Sequence, residues 1–539
     1  VPVQAAPDAF WQRFGDRVRA CPPPAGWDGR EIAEEAMRGR WDMLGEIVEV
    51  QANLDWSQRV GRPLHSFHLQ YHEPLRALAR HADQHDDALA LRTIGDTVSR
   101  WIETPQRGGG DAWHPYPISV RVFVWLEVLA LVGTRLPDAL RQRMLTSLAS
   151  QLDVLARRRE RQIGANHLQR NDAALALGGL AFTGPAAARW RAIGLGGLQQ
   201  ALRHHVMGDG MHYERTPMYH AGMLADVLRV MECCQVAGVA MPPAALERVP
   251  GMVRALQWMT RADGTLHHFN DTAAGIAPPT AWLVQRAAAA MATAVPPVPD
   301  GRWSLPEAGY AGWVDSAAGI RIVFDAGLPG PREQPGHAHC DALSFELCLD
   351  GVPVLVNAGV HGYDGDPYRE YSRSTRGHNT VQIGSREQHE VWSTFRVARF
   401  GAVTGPAVDT AGAWTVSGTV AAYTGGSHAR RLELRDRDTL RIEDTITGPR
   451  GETAVSRLLF HPDFTVTTDG TATVGRRGRR WVRLATEPAG ERRLVTEARS
   501  PAEGWYFPTF GRARPACCVA TLVSLPSAPL VTTITWGTD

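Results

Sequence analysis

"WLVQRAAAAMATAVPPVPD", residues 282–300, decides the fold, because the character of the chain changes across it. Its first part reads as the end of an alanine-rich helix. Pro296, Pro297 and Pro299 cannot continue that helix, since proline lacks the amide donor and restrains the residue before it. A link of this composition predicts a boundary between two domains, residues 1–300 and 301–539. A chain of 539 residues is in any case too long for one core.

Upstream the apolar residues recur at three and four spacing. "PDALRQRMLTSLASQLDVLARR" (137–158) and "AGMLADVLRVMECCQVAG" (221–238) are examples, and Gly or Pro punctuates many short helices. Downstream the period becomes two. "LSFELCLDGVPVLVNAG" (343–359) alternates around Asp350-Gly351, a strong hairpin signal. "TLRIEDTITG" (439–448), "RRWVRLATE" (479–487) and "CVATLVSL" (518–525) continue in that style. The pattern predicts an α+β multidomain chain, all-α first and then all-β, the latter most simply a sandwich.

Net charge is +1, so no bulk field attracts nucleic acid or an anionic membrane. No unbroken run of about 18 apolar residues occurs, so no membrane span is expected. The sequence starts at Val1, and the expectation is of a processed or trimmed N-terminus. Seven cysteines form no metal spacing and read as reduced core residues. Every basic residue is arginine, a planar fork suited to carboxylate or sulfate.

Polar groups concentrate in four stretches. Trp113 to Arg121, "WHPYPISVR", is the first. In "GANHLQRNDAALALGG" (164–179) Asn166 is placed to cap a helix, with His167 in its first turn. In "DGMHYERTPMYHAGML" (209–224) Thr216 and Pro217 open a helix, which puts Tyr219 and His220 at its positive end. Glu214 and Arg215 read as a pair holding that turn. In "GHAHCDALSFE" (336–346) His337 and His339 alternate before a strand, so both imidazoles are expected on one face beside Asp341. With the distant His378 they form a weak metal set.

Taken in order, "LHSFHLQYHEPLRALA" (64–79), "AWHPYPISVR" (112–121), "NHLQRNDAALALGGLAF" (166–182), "DGMHYERTPMYH" (209–220), "FNDTAAGIAP" (269–278), "GHAHCDALSFEL" (336–347) and "RSTRGHNTVQIGSREQHEVWSTFRVAR" (373–399) resemble the heparinase II/III family of polysaccharide lyases. The resemblance implies an N-terminal α/α toroid, a C-terminal antiparallel β-sandwich and an active site in the cleft between them. It implies cleavage of a uronic-acid glycosaminoglycan of the heparan sulfate or heparin type by β-elimination. Alginate or another uronate exopolysaccharide is the rival substrate. A metal-dependent glycan hydrolase and a non-catalytic polysaccharide-binding protein are the readings from other classes.

By match to the family motifs, Asn166 and His167 would take the uronate carboxylate, Tyr219 would be the acid and His337 a base. Trp113, Arg121, Arg170 and Tyr371 would contact substrate; Arg170 stands where several relatives carry glutamate. A divalent ion, zinc or calcium, would be structural and held by His339, His378 and the position of Asn357, where an aspartate is usual. No organic cofactor is implied. Periplasmic or secreted residence follows from that role alone.

Overall fold

A computed structural model describes residues 3–539 apart from 24–28, 51–53, 105–108, 410 and 470–471. It contains two compact units. The first comprises Val1–His205, Gly222–Pro250 and Ala281–Val295; the second comprises Val206–Ala221, Gly251–Thr280 and Pro296–Asp539.

Twelve α-helices lie before residue 300 among the described residues. Two of them, Pro115–Val132 and Ala165–Ala181, are buried nearly all round. Asp138–Arg158 and Pro185–His204 bury one stripe each and turn charged residues outward. Inner helices buried on every face and outer helices with one apolar stripe are what a double ring of paired helices requires. The first unit is accordingly an α/α toroid. The stretch Pro115–Arg135 is apolar and long enough to cross a membrane, but 94% of its apolar window is buried within the protein. That is the signature of a core helix.

The glycines of "LALGGLAF" have a packing reason. A Cβ on Gly179 would lie 2.3 Å from the Arg191 backbone nitrogen, and one on Gly194 would lie 2.2 Å from that of Ala176. Helices Ala165–Ala181 and Pro185–His204 therefore touch backbone to backbone.

The second unit is built on antiparallel sheets of five, eight and four strands. The five-stranded sheet runs in sequence order from Gly301–Leu305 to Val352–Leu355. Its last two strands join through Asp350 (φ 47°) and Gly351 (φ 79°), the pair of positive angles a two-residue hairpin needs. Ile322, Phe324, Phe345 and Leu347 from this sheet share a core with Val416, Leu432, Ile442 and Ile534 from the eight-stranded sheet. Two sheets closing on one apolar layer make the predicted β-sandwich. "TLRIEDTITG", "RRWVRLATE" and "CVATLVSL" supply the strands Thr439–Thr447, Arg480–Glu487 and Cys518–Ser524.

Candidate active site

In the second unit, the segment "FNDT" (269–272) organises the chemistry. Asn270 adopts a left-handed backbone (φ 52°), which Asn tolerates better than most side chains. Its Oδ1 accepts the His339 amide at 2.9 Å, and its own amide donates to Asp341 Oδ2 at 2.9 Å. The neighbouring Asp271 is fully buried and takes three partners. His337 Nδ1 lies 2.9 Å from Oδ2, and His339 Nε2 lies 2.8 Å from Oδ1. Arg369 grips both oxygens. Burial pushes the Asp271 carboxyl upward, but the Arg369 charge and the two histidine hydrogen bonds hold it well below the usual carboxylate range.

An ionised Asp271 can only accept, so His337 Nδ1 carries a proton facing it, and a neutral imidazole held this way has its lone pair at Nε2. This is the arrangement that orients an imidazole base. Tyr219 stacks on that ring, with centroids 3.9 Å apart and planes at 27°. The Tyr219 hydroxyl is 2.7 Å from that of Tyr363. Glu214, 2% exposed, lies 4.0 Å from His337 Nε2 and 3.5 Å from His212 Nδ1. A phenol and an oriented imidazole in contact can move two protons in one reaction.

Tyr219 and His220 do occupy the first turn of helix Pro217–Ala237. The Thr216 hydroxyl, however, donates to the Glu214 carbonyl. Arg215 does not close the turn with Glu214 as expected; it donates to the carbonyls of Ala308 and Glu307. His337 and His339 converge on one carboxylate without being in a strand, since Phe345–Leu349 begins later.

His339, Asp341 and His378 form a separate group, with one potential ligand atom from each lying within 4.8 Å of the others. His378 Nδ1 donates to the Ser374 carbonyl at 2.8 Å, as His339 Nε2 does to Asp271. Both outer protons are thereby assigned, which leaves His339 Nδ1 and His378 Nε2 as two lone pairs 3.3 Å apart. Two nitrogens on one tetrahedral zinc ion stand about 3.4 Å apart. The residues fit such an ion, and two imidazoles favour zinc over calcium. Asn357 corrects the expectation: its Oδ1 accepts the Asn379 amide at 3.1 Å and its Nδ2 faces Ser344 Oγ, so the carboxylate beside the histidines is Asp341.

The first unit holds the other cluster. Asn166 is buried in the first turn of Ala165–Ala181, but Gly164 occupies the cap position, so Asn166 is not the cap. Ala165 has φ 48°, a strained angle for alanine, just before it. His167, one-third exposed, places Nδ1 at 2.9 Å from Glu160 Oε1, while Asn171 Nδ2 meets Oε2 at 3.0 Å. Burial raises the Glu160 carboxyl, but the hydrogen bond and charge of His167 and the Asn171 amide bring it below its ordinary value. Tyr116 packs on the His167 ring at 4.6 Å.

Four expected substrate contacts fare differently. Trp113 is half-buried and stacks on Trp101 with centroids 6.0 Å apart. Arg121 is fully buried; it donates to Gln151 Oε1 and to the carbonyls of Gln70 and Ala112, and lies 4.0 Å over Trp101. It is a structural residue and not a substrate contact, because every edge of its fork is engaged. Arg170 pairs with the buried Asp226 at 2.5 Å, so its charge is neutralised within the unit. Tyr371, expected as a substrate contact, is fully buried in a cluster with Val356, Ala358 and Phe507. Sequence reasoning passed over Asp271, Arg369, Tyr363 and Glu160. The only available signal was an Asn-Asp pair inside one quoted motif.

A helical toroid followed by an antiparallel sandwich is the fold of heparinase III, with which the chain superposes at a TM-score of 0.78 over 96% of its length and 86% of that protein, at 17% identity. A heparan sulfate lyase HepC mutant from Pedobacter heparinus gives a TM-score of 0.67 over 99% of this chain and 88% of that one, also at 17% identity. At this identity the likeness is one of fold. Residues 100–285 match the model for the heparinase II/III N-terminus, and residues 297–536 match that for the heparinase II/III-like C-terminal region. The chain belongs to the heparinase II/III family. A heparin-sulfate lyase of Pedobacter heparinus is 25% identical over 229 residues, which is 37% of this chain and about a third (32%) of that protein.

Proposed function

We propose that the protein is a polysaccharide lyase that cleaves a uronic-acid glycosaminoglycan of the heparan sulfate type by β-elimination. The observation that carries this reading is the stacked pair Tyr219–His337, with the imidazole oriented by Asp271. Family membership and the heparin-sulfate lyase relative support the substrate class.

The difficulty of the reaction is the weak acidity of the C5 proton while the adjacent carboxylate is charged. On the family resemblance, the role of hydrogen-bonding that carboxylate and stabilising the charge that develops as the proton leaves falls to Asn166 and His167. His337 Nε2 takes the C5 proton, the C5–H electrons form the C4–C5 double bond, and the C4–O bond breaks. Tyr219 gives its proton to the departing oxygen, or both takes and gives where the stereochemistry of the uronate demands. A zinc ion, when bound, would be held by His339, Asp341 and His378 and would fix the loop that carries His337; its contribution is structural.

The test is ultraviolet absorbance of the unsaturated uronate during incubation with heparan sulfate, heparin, hyaluronan, chondroitin sulfates, alginate and a glucuronan. Absorbance should rise with heparan sulfate, and Tyr219→Phe should lower turnover about 10²–10⁴-fold. New reducing ends without absorbance would establish hydrolysis instead. A rise on alginate alone would replace the substrate class.

A further inference from the structure

The hairpin of strands Val391–Trp392 and Arg396–Val397 stands apart from the larger sheets. Its Trp392 is 56% exposed, and Phe395 in the connecting loop is 38% exposed. A large indole left in water, with no apolar neighbour needed to explain it, asks for a ligand.

The tip is firmly held. Arg373 donates to the carbonyls of Ser393 at 2.8 Å and Arg396 at 3.1 Å. Arg369 donates to the Thr394 carbonyl at 2.7 Å while its fork also grips Asp271. Both arginines are buried; Arg369 ties the tip to the carboxylate that orients His337, and Arg373 ties it to the Ala338 carbonyl beside that histidine. Phe395 completes the connection, with its ring centroid 5.1 Å from that of Tyr363 and 6.4 Å from that of His337. Trp392 and Arg396 are direct cross-strand partners, so their side chains leave the hairpin on one face. Arg396 is exposed and makes none of the ion pairs among the described residues.

We infer that this hairpin is a sugar subsite flanking the Tyr219–His337 pair: Trp392 takes the apolar face of a pyranose ring, and Arg396 takes the carboxylate or sulfate of the same sugar. The inference rests on the lyase reading and deepens it. The chemistry matches an acidic sugar at both ends. An indole offers a broad, rigid apolar surface with little rotamer entropy to lose. A guanidinium beside it pairs bidentately with a planar or tetrahedral oxyanion. Clamping of the tip by Arg369 and Arg373 means that little ordering cost remains to be met on binding.

The test is calorimetric titration of a heparan sulfate hexasaccharide into the full chain carrying Tyr219→Phe, which prevents turnover. Trp392→Ala should weaken binding about three- to tenfold, the range expected for a lost aromatic contact. Trp392→Tyr should restore most of it, and in the active protein the loss should fall on KM. Arg396→Gln should weaken heparan sulfate and non-sulfated heparosan alike if it reads the carboxylate, and heparan sulfate alone if it reads a sulfate. Unaltered affinity in both Trp392→Ala and Arg396→Gln, with wild-type turnover intact, would overturn the subsite and leave the lyase reading standing. Absence of binding and of unsaturated product for every uronate polymer would remove the lyase reading and the subsite together.

Discussion

His339 Nδ1 and His378 Nε2 face each other at 3.3 Å with their outer protons committed to Asp271 and the Ser374 carbonyl. Two lone pairs at that distance repel unless a cation lies between them. The metal-stripped protein should therefore gain thermal stability on adding zinc, by about 2.7 kcal/mol at a hundredfold excess over Kd. Elemental analysis should find one ion per chain. His378→Ala should abolish both the uptake and the stabilisation, whereas Asn357→Ala should retain the uptake. Equal loss from both variants would return Asn357 to the ligand set.

Asp271 makes its own prediction through its three partners. Asp271→Asn replaces an acceptor of two imidazole protons and one guanidinium by an amide. Turnover should fall about 10²–10⁴-fold as His337 loses its orientation. Stability should fall by about 3–5 kcal/mol because Arg369 is left buried without its counter-charge. Since the folded carboxyl lies well below its unfolded value, its contribution is complete above about pH 4 and is lost as pH falls through the folded value. Denaturant midpoints and turnover measured on the same preparation check both parts. Wild-type turnover in the variant would refute the orienting role.

Burial keeps several histidines neutral, with His220, His339, His378 and His389 each pushed down to about 4. An unfolded chain protonates them near about 6.5. Between these values the unfolded state binds more protons than the folded one, so acidification destabilises the protein. Urea midpoints of metal-stripped protein should be steady above about pH 6.5 and decline progressively toward pH 4. A flat profile across that window would contradict the burial of these rings.

Arg121 separates structure from substrate contact. Arg121→Met should cost about 3 kcal/mol or more, because Gln151 and the carbonyls of Gln70 and Ala112 lose their donor in a buried setting. Oligosaccharide affinity of the folded fraction should be unchanged. A selective loss of affinity at unchanged melting temperature would restore Arg121 to the binding surface.

The sequence by itself determined the two architectures and their order, helical and then antiparallel; the compact units themselves interleave along the chain, with Val206–Ala221 and Gly251–Thr280 belonging to the second. Periodicity is local: three-four spacing before Ala281 and alternation after Pro299 each report which face of a segment is buried. The Asp350-Gly351 turn was legible for the same reason, since its positive φ angles follow from two adjacent residues. Asn166, Tyr219 and His337 stood out locally as polar groups at helix starts and before a strand, but the roles proposed for them came from the resemblance of ordered motifs, because nothing local distinguishes a proton-transfer tyrosine from a packed one. Only the tertiary structure decided which groups meet. Asp271 reaches His337 across 66 residues and Arg369 across 98. It also brought Asp341 beside the two histidines and put Arg121 inside the first unit. Such pairings depend on how distant segments close on one another, and neither residue type nor spacing encodes that distance.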